Sequence, residues 1–322
     1  MKQAPNVKLS LRKLLTAMMA VGPLAILPSP VWAVLPPAGA IPASSGGSFG
    51  MQNGSGTITH TGSTIATIST SDRAVIVWNG ANDNVAAGQF FVAGGQVYNF
   101  QMPAGGAVLN RITPGGPGWG ATIAGQLDSN GKVFVLAPGG SITLASGATV
   151  TATGGLHLST IAEENGAFLA TGDLLYSGVA GGSITIGTGA AAANVGGNLT
   201  AVGGSVVHNS SSVTGEMVVK SMTLGAPMGL TSTPAGELVV GGNLTLQTNA
   251  GDITQTLGGG AVKVGSPSGA AVGTQVATLN TQGNNSITLN NVLNDFQNVA
   301  ITAGTGGAGN VIISDANIIR LN

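Results

Sequence analysis

From Phe49 to Asn322 short runs of alternating apolar and polar residues are separated by Gly-Gly, Ser-Gly and Asn-Gly pairs. This is the pattern of half-buried strands joined by turns, and no helix is expected after Ala33. Gly139-Gly-Ser-Ile-Thr-Leu144 returns as Gly181-Gly-Ser-Ile-Thr-Ile186, a spacing of 42 (181 − 139). Gly196-Gly-Asn-Leu-Thr200 returns as Gly241-Gly-Asn-Leu-Thr-Leu246, 45 residues on (241 − 196), and Asn284-Asn-Ser-Ile-Thr-Leu289 follows after another 43 (284 − 241). Halved, these spacings give units of about 21 to 23 residues, a solenoid period. The fold class expected is all-β, a right-handed parallel β-helix (β-solenoid) with an N-terminal β cap. Side chains alternate across a strand, so Ile142, Leu144, Ile184, Ile186, Leu199, Leu244, Leu246, Ile287 and Leu289 should face the interior. Single coils cannot bury their own apolar face, so the ends of the stack need caps.

Composition sharpens this picture. The 322 residues include 54 Gly and 14 Pro but only 4% aromatic and 7% charged residues, unlike a helical bundle or a doubly wound enzyme. Four of the 10 basic residues are Lys2, Lys8, Arg12 and Lys13; the other six face 11 acidic residues, a net of −5 (6 − 11). That balance argues against a nucleic-acid partner. There is no cysteine, which suits a stacked core that needs no staple and equally a chain that must cross a second membrane unfolded.

The N-terminus follows the three-part grammar of a secretory signal. Lys8 to Lys13 are basic, Leu14 to Leu27 are largely apolar, and Val31-Trp32-Ala33 supply the small positions that a signal peptidase reads. Cleavage is expected after Ala33. The apolar stretch is shorter than the ~20 residues of a membrane-spanning helix and is broken by Pro23. The chain then divides into residues 1–33 as signal, 34–48 as a linker without a core pattern, 49–206 as a first domain and 207–322 as further coils. The apolar end Asn-Ile-Ile-Arg-Leu-Asn322 does not read as a cap, and the expectation is the front of a longer solenoid.

Five ordered segments carry a family signature: Ser71-Asp-Arg-Ala-Val-Ile-Val-Trp78-Asn79, Val97-Tyr-Asn-Phe100, Val108-Leu-Asn-Arg-Ile-Thr113, Gly125-Gln-Leu-Asp-Ser-Asn-Gly-Lys-Val-Phe-Val135 and Leu156-His-Leu-Ser-Thr160. Their order resembles the N-terminal two-partner secretion (TPS) domain of the filamentous haemagglutinins and high-molecular-weight adhesins. Where that family carries an Asn-Pro-Asn-Gly turn, this chain has Ala137-Pro138-Gly139-Gly140, and Pro114-Gly-Gly-Pro-Gly-Trp119-Gly is an unusual insertion expected as an exposed loop. The resemblance implies an exoprotein delivered through the periplasm to the cell surface or medium. It also implies a cognate outer-membrane transporter of the TpsB type, with POTRA domains. By the same resemblance, Leu109, Asn110, Arg111, Asn130, Ala137, Pro138, Gly139 and Gly140 are the candidates for transporter recognition or nucleation of folding. Adhesion to a host-cell or matrix surface is the implied activity of the whole exoprotein. Alternatives are a freestanding β-helical enzyme or binder of polysaccharide, and a purely structural surface fibre.

Nothing in the sequence demands catalysis, a cofactor or a metal. Gly46-Gly-Ser48-Phe-Gly50 matches the nucleophile-elbow letters without the strand and helix it needs. Gly304-Thr-Gly306-Gly-Ala-Gly309 matches a dinucleotide fingerprint that this glycine content produces by chance. His60, His157 and His208 are isolated and expected at the surface or in loops. Glu163-Glu164 is the one adjacent acidic pair; neighbouring strand residues face opposite sides, and Asn165-Gly166 reads as an exposed turn. Asn53, Asn198, Asn209, Asn243 and Asn284 each open an Asn-x-Ser/Thr triplet, a minority hypothesis for sugar attachment.

Overall fold

The computed structural model describes residues 35–36, 38–41, 49–78, 89–113, 119–176, 181–188, 191–209, 211–221, 228–230, 237–248, 251–255, 260–265, 274–304, 309–317 and 319–321. The expected signal segment and its expected cleavage site, Ala33, lie outside these residues, as do Gly46 to Ser48 and residues 114–118.

Among the described residues the strands form three long sheets, of 11, 10 and 9 strands. The chain visits them in rotation, which generates a parallel β-helix, the predicted class. One turn, for example, uses Gln126–Ser129 in the first sheet, Lys132–Leu136 in the second and Ser141–Leu144 in the third. Pairing becomes parallel from Ile65–Thr70 against Val97–Gln101 onward. Before that the chain folds back on itself: Gly56–Thr61 runs antiparallel to Ile65–Thr70, and Phe49–Asn53 antiparallel to Ala74–Trp78. These hairpin-like pairs form the cap at the N-terminal end.

The stretch expected as a linker is partly built into that cap. Gly39–Ala40 pairs with Ile58 and Thr57, and Leu35 and Ile41 are buried. Two apolar side chains within a Pro-rich run make no period, so nothing local announced them. At the other boundary, the division between 206 and 207 falls inside the strand Ser205–His208, and stacking runs on through it.

All nine side chains expected inside are fully buried, each contributing roughly 1.5–3 kcal/mol. The period is another matter. Ile142 pairs directly with Ile184, so that spacing of 42 (184 − 142) is one coil with an excursion in it, not two coils. Leu199, Met217 and Leu244 are successive neighbours, so the second spacing does contain two coils, of 18 (217 − 199) and 27 residues (244 − 217). Leu244 lies in the second sheet and Ile287 in the third, so the third spacing compared different faces.

The excursion also holds the helix that the sequence did not announce, Gly166–Thr171, ended by Gly172 at φ 76°. Six residues are too few to display helical periodicity or to be stable in isolation. Burial of Phe168 against the second sheet holds the helix in place.

Candidate functional site

The strand Ala107–Ile112 carries the first three candidates, and its alternation sends them to opposite sides. Asn110 points inward, in a column with Ile76, Val135 and Leu158. A buried amide needs partners there. It accepts from the Trp78 indole N–H at 3.1 Å and donates to the Phe134 carbonyl at 3.2 Å.

Leu109 and Arg111 point outward, yet neither stands free in solvent. Leu109 is fully buried in a second apolar cluster with Val75, Ala107, Phe134, Leu136, Phe168 and Leu174. Most strands of a solenoid expose their outer face; this part of the second sheet is covered by residues 161–176. Arg111 holds that cover in place. Its guanidinium donates to the Glu163 carbonyl at 2.9 and 2.6 Å and to Asn165 Oδ1 at 2.7 Å. Burial lowers the Arg111 pKa below the ordinary arginine value, opposed by the nearby Glu164 and Glu163 carboxylates.

Ala137 to Gly140 turn the chain from the second sheet into the third. The Gly140 N–H reaches the Ala137 carbonyl at 2.9 Å, and Gly139 has φ 78°. Proline second and a positive-φ glycine third is the preferred composition of a type II turn. Ala137 and Gly139 donate to Ser159 and Thr160 of the next coil. The Trp119 ring packs on Gly140 from the preceding coil, so Trp119 is half-buried rather than part of an exposed loop. Arg111 pairs with Leu136, which places it beside this turn. Asn130 sits at the opposite end of the strand, bracketing Met102 by accepting from its N–H at 2.9 Å and donating to its carbonyl at 2.8 Å. The structure thus unites Arg111 with the turn and leaves Asn130 at a different corner.

An open groove of about 410 Å³ lies beside Arg111, lined also by Gln52, Asn53, Glu164 and Asn165. The two members of the acidic pair sit differently. Both Glu163 oxygens accept backbone N–H groups, from Leu175 at 2.6 Å and Tyr176 at 3.0 Å, while Glu164 is exposed. Asn165 and Gly166, expected as an exposed turn, open the helix instead.

No protein-family model and no curated protein matches the chain. Among solved structures, the HMW1 secretion domain from Haemophilus influenzae is similar at 16% sequence identity and a TM-score of 0.36, covering 85% of this chain and 99% of that one.

Two histidines depart from their expected surface positions. His208 faces the interior and shares a hydrogen bond with Ser211 Oγ at 2.8 Å. Its inward place was legible, since it continues the parity of Val206 in Ser205-Val-Val-His208. His157 does face outward, but it stacks on Phe134 at 4.3 Å and shares a hydrogen bond with the Tyr176 hydroxyl at 3.2 Å. Burial pushes both imidazoles down to about 4; for His157 the Lys132 charge adds to this and Asp173 opposes it. His60 is exposed, with Nε2 2.7 Å from the Pro36 carbonyl.

Three of the sequon asparagines tie coils together. Asn198 accepts from the Glu216 N–H, Asn243 accepts from the Val276 N–H, and Asn209 donates to the Gly187 carbonyl.

Proposed function

We propose that the chain is an exoprotein exported by two-partner secretion, whose region 49–206 is read by an outer-membrane transporter bearing POTRA domains. The observation that carries this reading is where the five family-like segments fall. Four of them overlap Ala74–Trp78, Ala107–Ile112, Lys132–Leu136 and Leu156–Ser159, which are consecutive hydrogen-bonded neighbours in the second sheet. The resemblance therefore falls on stacked strands, mainly those of the second sheet beside its covered outer face, with Val97–Gln101 and Gln126–Ser129 paired in the first, rather than being scattered through Gly-rich turns.

Leu109 and Asn110 have no exposure in the folded protein. A transporter that reads them must do so in the extended chain before coiling, where backbone donors and acceptors are free to add to a partner's sheet edge. Arg111 and the 137–140 turn would then serve folding on the far side. Each coil that stacks outside the cell buries apolar surface, and that free energy opposes backward sliding without nucleotide hydrolysis. Adhesion to a host-cell or matrix surface is the role we assign to the exported solenoid.

The test is export from a Gram-negative host with and without the cognate transporter. The reading expects the protein in the medium only when the transporter is present, and a reduced yield for Arg111→Ala. A folded, protease-resistant product that stays in the periplasm beside a functional transporter would overturn it.

A further inference from the structure

Of the six basic residues that follow residue 33, three lie under the same short segment. Arg73 donates to the Leu169 and Ala170 carbonyls at 3.0 and 2.6 Å, at the C-terminal end of the helix, where a cation is favoured. Arg111 grips Glu163 and Asn165 as described, and Lys132 pairs with Asp173 at 2.6 Å. These cations come from three successive levels of the stack: the turn before Ala74–Trp78, the strand Ala107–Ile112 and the strand Lys132–Leu136. Asn165 reaches the cap as well, donating to Gln52 Oε1 at 2.8 Å. Between the polar ties Phe168 and Leu174 fill the strip made by Val75, Ala107, Leu109, Phe134 and Leu136, with Phe168 edge-on to Phe134 at 5.5 Å.

Two features set this segment apart from an ordinary surface loop. Every one of these partners precedes it in the chain, so its docking requires no coil downstream of Tyr176. It is also an insertion relative to the same corner of the next coil. Ser159 pairs with Val202 and Ser183 with Ser205. In the later coil the corner between those positions is Gly203-Gly204; in the earlier one it is Thr160 and Gly182 with residues 161–181 between them.

We propose that residues 161–176 form a clasp, which closes over the outer face of the second sheet and locks the cap and the first coils together independently of the coils that follow. Ladder hydrogen bonds and interior packing join each coil only to its neighbours. The clasp spans several levels at once, so opening any one of those levels requires breaking it. This role stands on the folded geometry alone and does not depend on the export reading.

Hydrogen exchange on the full chain tests it, with Phe168→Ala as the first variant. Truncating a buried phenylalanine should accelerate exchange roughly 100-fold where the clasp acts. That acceleration is expected in Ala74–Trp78, Ala107–Ile112 and Lys132–Leu136, with Leu244–Thr248 and Val276–Thr281 changed by less than about 3-fold. No acceleration anywhere would make the segment a passive loop, and equal acceleration in all five strands would make it part of one undivided core; either overturns the clasp. A second variant excises 161–181 and joins Thr160 to Gly182, copying the Gly203-Gly204 corner. It should keep a β far-UV spectrum and show the same regional pattern as Phe168→Ala. Failure of the excised chain to form the β-helix would show that the segment builds the coils rather than fastening them, and would also overturn the proposal.

Discussion

Gly182 illustrates how closely the backbones of adjacent coils approach at the corners. It has φ 71°, and a β-carbon there would stand 1.9 Å from the Gly140 carbonyl oxygen. Gly147 has a similar φ of 78° but open space around the same position. The two separate steric collision from backbone strain. Gly147→Ala should cost about 1–2 kcal/mol, the price of a left-handed conformation for an L-residue. Gly182→Ala adds the clash and should cost at least about 2 kcal/mol more, because the obstacle is backbone. Denaturant midpoints of the two variants check this, and equal midpoints would refute it. The glycine pairs marked corners in the sequence, but which corner is crowded depends on the coil stacked against it.

Within a strand the decisive property is parity. Leu244–Thr248 alternates buried and half-buried residues, with Leu246 fully buried and Thr245 on the outer side. Leu246→Ala should destabilise by about 3 kcal/mol, and Thr245→Ala by no more than about 0.5 kcal/mol. Chemical denaturation of both variants measures the contrast. Parity was legible from sequence because it is a property of neighbouring residues. The second sheet between Val75 and Leu136 goes further, since there the outward column Val75, Leu109, Phe134 is as buried as the inward one. An uninterrupted apolar run such as Val133-Phe134-Val135-Leu136 was the available signal for a strand packed on both faces. What covers it was not legible, because the covering segment lies a coil or more away in sequence.

For the molecule as a whole, the buried histidines set an acid limit. Both have a folded pKa of about 4 against an ordinary value of 6.5. The folded state therefore disfavours the proton. Its stability is fully present above pH 6.5 and falls as the pH drops toward 4, by up to about 3 kcal/mol per histidine. Urea midpoints should fall between pH 7 and pH 4.5, and His208→Asn, which keeps a polar partner for Ser211, should flatten the fall. An unchanged slope in that variant would place the acid sensitivity elsewhere.

The sequence by itself determined the class of fold, the inward residues of the repeated strands and many of the places where the chain turns. These follow from alternation and glycine placement over a few residues, which local sterics translate directly into strands and corners. The tertiary structure alone decided which segments are neighbours. An insertion such as 161–181 changes the spacing between Ile142 and Ile184 without disturbing the pattern inside either strand, so a repeat of 42 looked like two coils when it was one. The same long-range choice placed Arg73, Arg111 and Lys132 under one segment and drew Leu35 and Ile41 into the cap. Each depends on contacts between residues distant in sequence, and no local pattern encodes which of the many possible partners the stack will bring together.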